Sequence, residues 1–121
     1  MSIGRITMIE FTSEEAMQAA AKLYLATQKE NFPNAQAVIN VKTGPMSVMT
    51  LSIYESYEEA EKNLVGKNKY LDSVAITIKD TFYYEGDLHY FFQDPNAEII
   101  SEYTEKDRLL FEAERKAKKL G

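Results

Sequence analysis

The chain has 121 residues, a formal net charge of −5 and no cysteine, and 45% of its residues are hydrophobic. This length and composition predict one domain with a substantial core. The acidic balance argues against nucleic acid and against an anionic membrane as partners, because both are bound through Lys and Arg. The lack of cysteine excludes disulfides, thiolate metal sites and cysteine nucleophiles. The sequence predicts neither a signal peptide nor a membrane span, so we expect a cytoplasmic protein.

The hydrophobic pattern switches between a period of two and a period of 3.6 along the chain. Alternation predicts strands at Arg5–Phe11, Gln36–Lys42, Ser47–Tyr54 and Asp87–Gln93. Helical stripes predict helices at Glu14–Glu30, Tyr57–Phe82 and Thr104–Leu120. The order βαββαβ, followed by a C-terminal helix, predicts an α+β ferredoxin-like sandwich in which helices cover one face of a four-stranded antiparallel sheet. We expect a single domain with a core at 3–93 and a helical extension at 98–120.

Both core helices have sequence signals for their first turn. Thr12 and Glu15 have the spacing of a capping box, although Ser13 is an alternative N-cap. Ser56 and Glu59 repeat the capping-box spacing before the second helix. These signals predict where the helices begin.

The stretch from Lys69 to Phe82 fits two patterns. Its apolar residues Leu71, Val74 and Ile78 recur with helical spacing, but Val74 and Ile78 also belong to an alternating run typical of a strand. We predict a helix because the helical stripe is longer. The alternative is a hairpin from Val74 to Phe92.

The second and third predicted strands each have one apolar and one semi-polar side. Met49, Leu51 and Ile53 share an apolar side, which we expect to meet the helices. Asn40, Thr50, Ser52 and Tyr54 lie on the semi-polar side, which we expect to be the open face of the sheet. A face of this size would not remain in water, so the pattern predicts a homodimer in which the sheet faces that carry Tyr54 and His89 meet.

The element order resembles the dimeric α/β-barrel superfamily, which includes antibiotic-biosynthesis-monooxygenase-like and stress-responsive barrel proteins. The resemblance covers residues 3–93 and includes the Tyr54–Ala60 run after the third strand and the Tyr84–Leu88 entry to the last. It implies a ferredoxin-like fold and a dimer. Activities in the superfamily include cofactor-free oxygenation, haem degradation and isomerisation, so the resemblance does not select one function.

His89 is the only histidine and therefore the one candidate acid–base catalyst with an ordinary pKa near neutrality. Asp87 or Glu85 would orient it if the last strand carries all three on one face. The alternative interpretation is a hydrogen-bonded histidine at a dimer interface. The same three residues are spaced about 7 Å apart along a strand, too far for easy shared coordination, so we predict no metal site.

A set of polar and aromatic residues completes the candidate site. The predicted ligand-binding residues are Asn40, Ser52, Tyr54, Asp87 and Phe91. The aromatic residues around the last strand could line an apolar pocket, or they could serve only core and interface packing.

The sequence thus predicts a small homodimeric protein that binds a small apolar ligand between its sheets and needs no cofactor. The alternative is a cofactor-free monooxygenase-like or isomerase-like enzyme that uses His89. A third interpretation is a subunit of a larger complex that docks through the C-terminal helix. We expect that helix to pack against its own core or against the partner subunit, since an isolated helix of this length is marginal in water.

Overall fold

Four strands form one antiparallel sheet in the computed structural model, which describes residues 2–97 and 102–120, the last two of these without side chains. The strands are β1 (Ile3–Phe11), β2 (Ala37–Gly44), β3 (Ser47–Tyr54) and β4 (Ile78–Asp87). Their order across the sheet is β2-β3-β1-β4. The helices are α1 (Glu14–Asn31), α2 (Tyr57–Glu61), α3 (Leu64–Val74) and α4 (Glu105–Leu120), with a 3-10 turn at Ala75–Thr77. This architecture confirms the predicted ferredoxin-like α+β class.

The starts of the first two helices are fixed by serine caps. The Ser13 Oγ accepts a hydrogen bond from the Ala16 N–H at 3.1 Å, so Ser13, and not Thr12, is the N-cap of α1. The Ser56 Oγ accepts from the Glu59 N–H at 3.2 Å at the start of α2. The prediction of a cap at Ser56 is confirmed.

The predicted helix Tyr57–Phe82 and the predicted strand Asp87–Gln93 are both wrong in their boundaries. The helical segment ends at Val74, and the chain then forms β4, which pairs with β1 from Ile3 opposite Asp87 to Phe11 opposite Ile78. The residues after Asp87 have no regular structure up to the turn at 95–96. Pairing along the whole of β1 supplies a ladder of hydrogen bonds that a helix over the same residues could not make with the sheet.

The hairpin considered from Val74 to Phe92 does not form either, because β4 pairs with β1 and forms an edge of the sheet.

The assignment of the two sheet faces is also wrong, and the structure reverses it. Ile3, Ile9 and Phe11 of β1 are buried against the helices, and the strand register places the semi-polar residues beside them. Tyr54 lies opposite Ile3 and is 2% exposed. The semi-polar side of β2 and β3 therefore faces the helices, and a dimer in which Tyr54 faces Tyr54 of a partner is excluded.

The apolar side of the sheet is the open one. Two rows of cross-strand neighbours run across all four strands: Ile39, Leu51, Ile6 and Tyr84, then Val41, Met49, Met8 and Phe82. We call these eight residues the open apolar face. Six of them are exposed, at 36–62%, and no described helix covers them.

Helix α4 packs along α1 of its own chain. This is one of the two arrangements expected from the sequence, the other being contact with a partner subunit. Arg115 Nη1 lies 3.3 Å from Glu30 Oε2, and Lys22 Nζ lies 5.3 Å from the centre of the Phe111 ring. Two apolar residues of α4, Leu109 and Leu110, do not take part in this packing and are both 54% exposed. The first residues of the expected extension, 98–101, lie outside the described part of the chain. No helix within 2–97 and 102–120 is long and apolar enough to cross a membrane.

Gly66 of α3 lies against the backbone of Asn31, the last residue of α1. A Cβ at this position would collide with the backbone of Asn31, which cannot rotate away. Gly66→Ala would gain about 1 kcal/mol in helix propensity. We expect the collision to outweigh this gain, with a net loss of about 1–3 kcal/mol in the free energy of unfolding, measured by urea denaturation.

Gly86→Ala is the matched control for this substitution, because a Cβ there meets no atom within 4 Å. Equal stability of the Gly66→Ala variant and the wild type would show that α3 does not lie this close to α1.

Candidate functional site

A cavity of about 440 Å³ lies between the helix-facing side of the sheet and helices α1 and α3. Core packing closes the sandwich at both ends, around Ile9 and Phe11 at one end and around Ile3, Tyr54 and Ala60 at the other. Gln18, Asn40 and Lys42 line the cavity and are exposed, so it reaches the protein surface beside them. A volume of this size lies in the range of small-molecule sites.

Helix α1 provides a mostly apolar wall of the cavity, although its Gln18 and Gln28 also line it. Met17, Ala20, Ala21, Tyr24 and Leu25 all line it, in the i, i+3, i+4 pattern that places side chains on one helix face. Burial, and after it the neighbouring Tyr54 and Tyr70, raise the pKa of Tyr24, so that this phenol stays neutral at physiological pH. The wall is therefore uncharged along its length.

The sheet provides the polar wall. One row across the sheet consists of Asn40, Thr50, Thr7 and Tyr83, and the next consists of Val38, Ser52, Arg5 and Glu85. All but Glu85 line the cavity. The Thr50 hydroxyl donates to Asn40 Oδ1 at 2.8 Å, which orients the amide of Asn40 and leaves its N–H groups as donors. A ligand would therefore have an apolar surface on one side and hydrogen-bonding groups on the other.

Arg5 is the centre of a buried hydrogen-bond network at one end of the cavity. Arg5 as a whole is 6% exposed. Its guanidinium donates from Nε to Glu85 Oε2 at 3.1 Å and from Nη1 to the Ala60 carbonyl at 3.0 Å. The Tyr83 hydroxyl donates to the same Glu85 oxygen at 2.7 Å. The hydrogen bond from Tyr83 and then the contact with Arg5 hold the pKa of Glu85 below its usual value. The network fixes both side chains in place and favours the charged form of Glu85.

Lys67 lies beside this network on α3. Its Nζ is 3.3 Å from the centre of the Tyr83 ring, a cation–π contact, and the residue lines the cavity. Burial and then the positive charge of Arg5 lower the pKa of Lys67, while Glu85 opposes them. The two cations and the single carboxylate thus form one electrostatic cluster.

The structure brings together three of the residues that the sequence proposed for a ligand site. Asn40, Ser52 and Tyr54 all line the cavity. They do so within one chain, between the sheet and its own helices, and not between two sheets as the sequence analysis expected. Their role in binding stays a prediction.

The other three proposed residues lie elsewhere. Asp87 ends β4 near Tyr57, whose pKa is raised by partial desolvation and then by the Asp87 charge. His89 and Phe91 follow the strand, are exposed, and do not line the cavity. The predicted strand face with Asp87, His89 and Phe91 on it does not exist, because β4 stops before His89. Within residues 2–97 and 102–120, no group of three His, Asp or Glu side chains is placed to hold a metal ion.

Sequence reasoning missed Arg5 and Lys67, although each breaks a pattern. Arg5 occupies an inward position in the alternating series Ile3, Thr7, Ile9, Phe11. Lys67 occupies the first position of the helical stripe that continues at Tyr70, Leu71 and Val74. A charged residue at a core-facing position must find a partner or a cavity, and this was the available signal.

Comparisons with known proteins give structural matches alone, since no protein-family model and no curated protein matches the chain. A protein of unknown function from Nitrosomonas europaea has a TM-score of 0.64 at 10% identity, over 78% of this chain and 96% of that one. A dimeric ferredoxin-like protein from an uncultured marine organism has a TM-score of 0.60 at 13% identity, over 77% and 92%. A Streptomyces coelicolor monooxygenase in complex with nanaomycin D has a TM-score of 0.62 at 7% identity, over 77% and 92%.

At these identities the likeness concerns the fold. It confirms the fold that the sequence resemblance implied: this chain has the ferredoxin-like fold shared by monooxygenases of this kind and by dimeric ferredoxin-like proteins.

Proposed function

We propose that the protein binds a small, largely apolar molecule in the cavity between its sheet and α1. The observation that carries this proposal is the contrast between the two walls of a space of about 440 Å³. A space that only resulted from imperfect packing would have no reason to collect polar side chains on one wall. Convergent polar groups opposite an apolar wall are the usual composition of a ligand site.

The lining residues favour a flat molecule with aromatic character. Tyr24 on α1 and Tyr54 on β3 offer ring surfaces, and Asn40 and Ser52 offer hydrogen bonds on the sheet side. The Streptomyces monooxygenase of the same fold was solved with nanaomycin D, which supports the use of this architecture for small-molecule binding.

The enzymatic alternative, a cofactor-free monooxygenase or isomerase with His89 as catalyst, has less support. His89 is exposed beyond the end of β4 and is not among the residues that line the cavity. We therefore favour ligand binding that does not involve His89 over catalysis by His89. The cytoplasmic location stays a prediction.

A substitution that fills the cavity should abolish binding. Ala21 lines the cavity, so Ala21→Leu places additional methyl groups inside it without adding charge or breaking the helix. We expect the wild type to bind the neutral fluorophore N-phenyl-1-naphthylamine with an increase in fluorescence, and Ala21→Leu to bind it at least about tenfold more weakly. Fluorescence titration measures both affinities.

Ala19→Leu is the matched control, since Ala19 is exposed on the same helix and does not line the cavity. Equal affinity of Ala21→Leu and the wild type, or no binding by the wild type, would contradict the proposal. Mass spectrometry of the natively purified protein would identify any molecule that the cavity retains.

We also propose that the protein is a homodimer in which the open apolar faces of two copies meet. This surface consists of two uncharged rows, and a second copy would present the same rows by two-fold symmetry. The dimeric ferredoxin-like protein from the uncultured marine organism, which has the same fold, supports dimerisation. The expected interface differs from that of the sequence analysis, because it excludes Tyr54.

A further inference from the structure

The electrostatic cluster at the Arg5 end of the cavity lacks one negative charge. Its charged members are the cations Arg5 and Lys67 and the carboxylate Glu85, which leaves one positive charge in excess. Two further charged residues, Lys42 and Glu102, line the cavity, and their opposite charges do not change this balance. Glu85 Oε2 already accepts hydrogen bonds from Arg5 and from the Tyr83 hydroxyl. The carboxylate is thus hydrogen-bonded to Arg5 and Tyr83, and it acts on Lys67 only through its charge.

The ammonium of Lys67 is available to a ligand. It makes no hydrogen bond with any residue in 2–97 or 102–120, and its contact in this region is the face of the Tyr83 ring. A lysine ammonium has three donors, and a ring face satisfies the charge only in part. The residue therefore keeps donors for an acceptor inside the cavity that it lines.

We propose that Arg5 and Lys67 form a subsite for a singly charged anionic group of the cavity ligand, such as a carboxylate, a sulfonate or an ionised phenol or enol oxygen. This inference rests on the proposed function, and it specifies the ligand class as an aromatic or otherwise apolar monoanion. The ring system lies along Met17, Ala21 and Tyr24, and the anionic group lies at the Arg5 end.

Four physical arguments support a monoanion at this subsite. One negative charge cancels the excess charge of the cluster, whereas a dianion would leave an uncompensated buried charge. Hydrogen bonds to an ionised acceptor are roughly twice as strong as neutral ones, so two cations at one end orient the ligand. Burial and Arg5 both lower the pKa of Lys67, and a bound anion relieves the second effect by restoring charge balance. Arg5 is held by Glu85 and Ala60, so it is preorganised before the ligand arrives.

A pair of fluorophores with the same ring system tests this inference. 1-Anilinonaphthalene-8-sulfonate is an aromatic monoanion, and N-phenyl-1-naphthylamine is its neutral counterpart. Binding to the cavity is defined as the part of the titration that Ala21→Leu removes. We expect the wild type to bind the anion at least about tenfold more tightly than the neutral compound.

Lys67→Met keeps the apolar stem and removes the charge. We expect it to lose at least about tenfold in affinity for the anion and to change the affinity for the neutral compound by less than about twofold. Lys67→Arg, which restores a cation, should recover the preference for the anion. Lys69→Met is the control, because Lys69 is exposed on the same helix, pairs with Glu30 and does not line the cavity.

Three outcomes would overturn the subsite. In the first, the wild type binds both compounds in the cavity with equal affinity, and in the second, Lys67→Met weakens both equally. Either result leaves the cavity as a ligand site and refutes the anionic subsite alone. In the third, neither compound binds in the cavity, which refutes the proposed function together with the subsite.

Discussion

Met8→Lys should convert the proposed dimer into a folded monomer. Met8 lies on a central strand, in the second row of the open apolar face, and is 38% exposed in the single chain. In a monomer, a lysine at this position keeps its stem on the sheet and its ammonium in water. In a two-fold dimer, two such charges enter an apolar interface without partners. We expect dimerisation to weaken at least about 100-fold.

Light scattering and analytical ultracentrifugation at micromolar concentration would measure this change. Val65→Lys is the control, because Val65 is 79% exposed on α3, away from the sheet. The circular dichroism spectrum of Met8→Lys should match that of the wild type, which separates loss of assembly from loss of fold. A Met8→Lys variant that remains dimeric would place the interface elsewhere.

Arg5→Met should be the most destabilising of the conservative substitutions at the cavity. The change removes the hydrogen bonds to Glu85 and to the Ala60 carbonyl, which keeps its backbone hydrogen bond from the Asn63 N–H at 3.1 Å. We expect a loss of about 2–3 kcal/mol in the free energy of unfolding at pH 7. The loss should be small for a broken ion pair, because Glu85 is 36% exposed and its charge is partly solvated. Arg115→Met, which breaks a surface pair with Glu30, should cost less than about 1 kcal/mol.

The same variant should also change the response to acid. The folded-state pKa of Glu85 lies below its ordinary value of 4.5, through the Tyr83 hydrogen bond first and Arg5 after it. A carboxyl with a lowered pKa stabilises the fold fully above 4.5, and the stabilisation is lost as the pH falls through the folded-state pKa. Without Arg5 the pKa of Glu85 should rise toward 4.5. The stability difference between wild type and Arg5→Met should therefore narrow below pH 4.5, as measured by urea denaturation at several pH values. A constant difference would show that Arg5 does not act through Glu85.

The fold class could be predicted because two signals are local. The serine caps and the alternation in β1 and β3 depend on neighbours in sequence, and they place α1, α2 and the central strands correctly. The boundary between α3 and β4 could not be predicted in this way. Val74 and Ile78 satisfy both periods, and the choice is made by pairing with β1, which is more than 60 residues away in sequence.

The sheet faces were misassigned because polarity alone was used to decide which side is covered. Ser52 and Thr50 are polar and nevertheless face the helices, because they border a cavity and not a packed core. The residues that reveal the correct assignment are on β1, where Ile3, Ile9 and Phe11 must be buried and fix the direction of their cross-strand neighbours.

Of the candidate site, Asn40, Ser52 and Tyr54 were found from the sequence and Lys67 was not, because its place at the cavity depends on how α3 approaches the sheet.

The ligand should lie on the semi-polar side of the sheet and not on the open apolar face. A crystal structure of the complex with N-phenyl-1-naphthylamine tests this placement most directly. We expect electron density for the rings inside one chain, between Met17 and Ala21 of α1 and the wall formed by Thr7 and Thr50. Density between the open apolar faces of two copies, with the internal cavity empty, would contradict it.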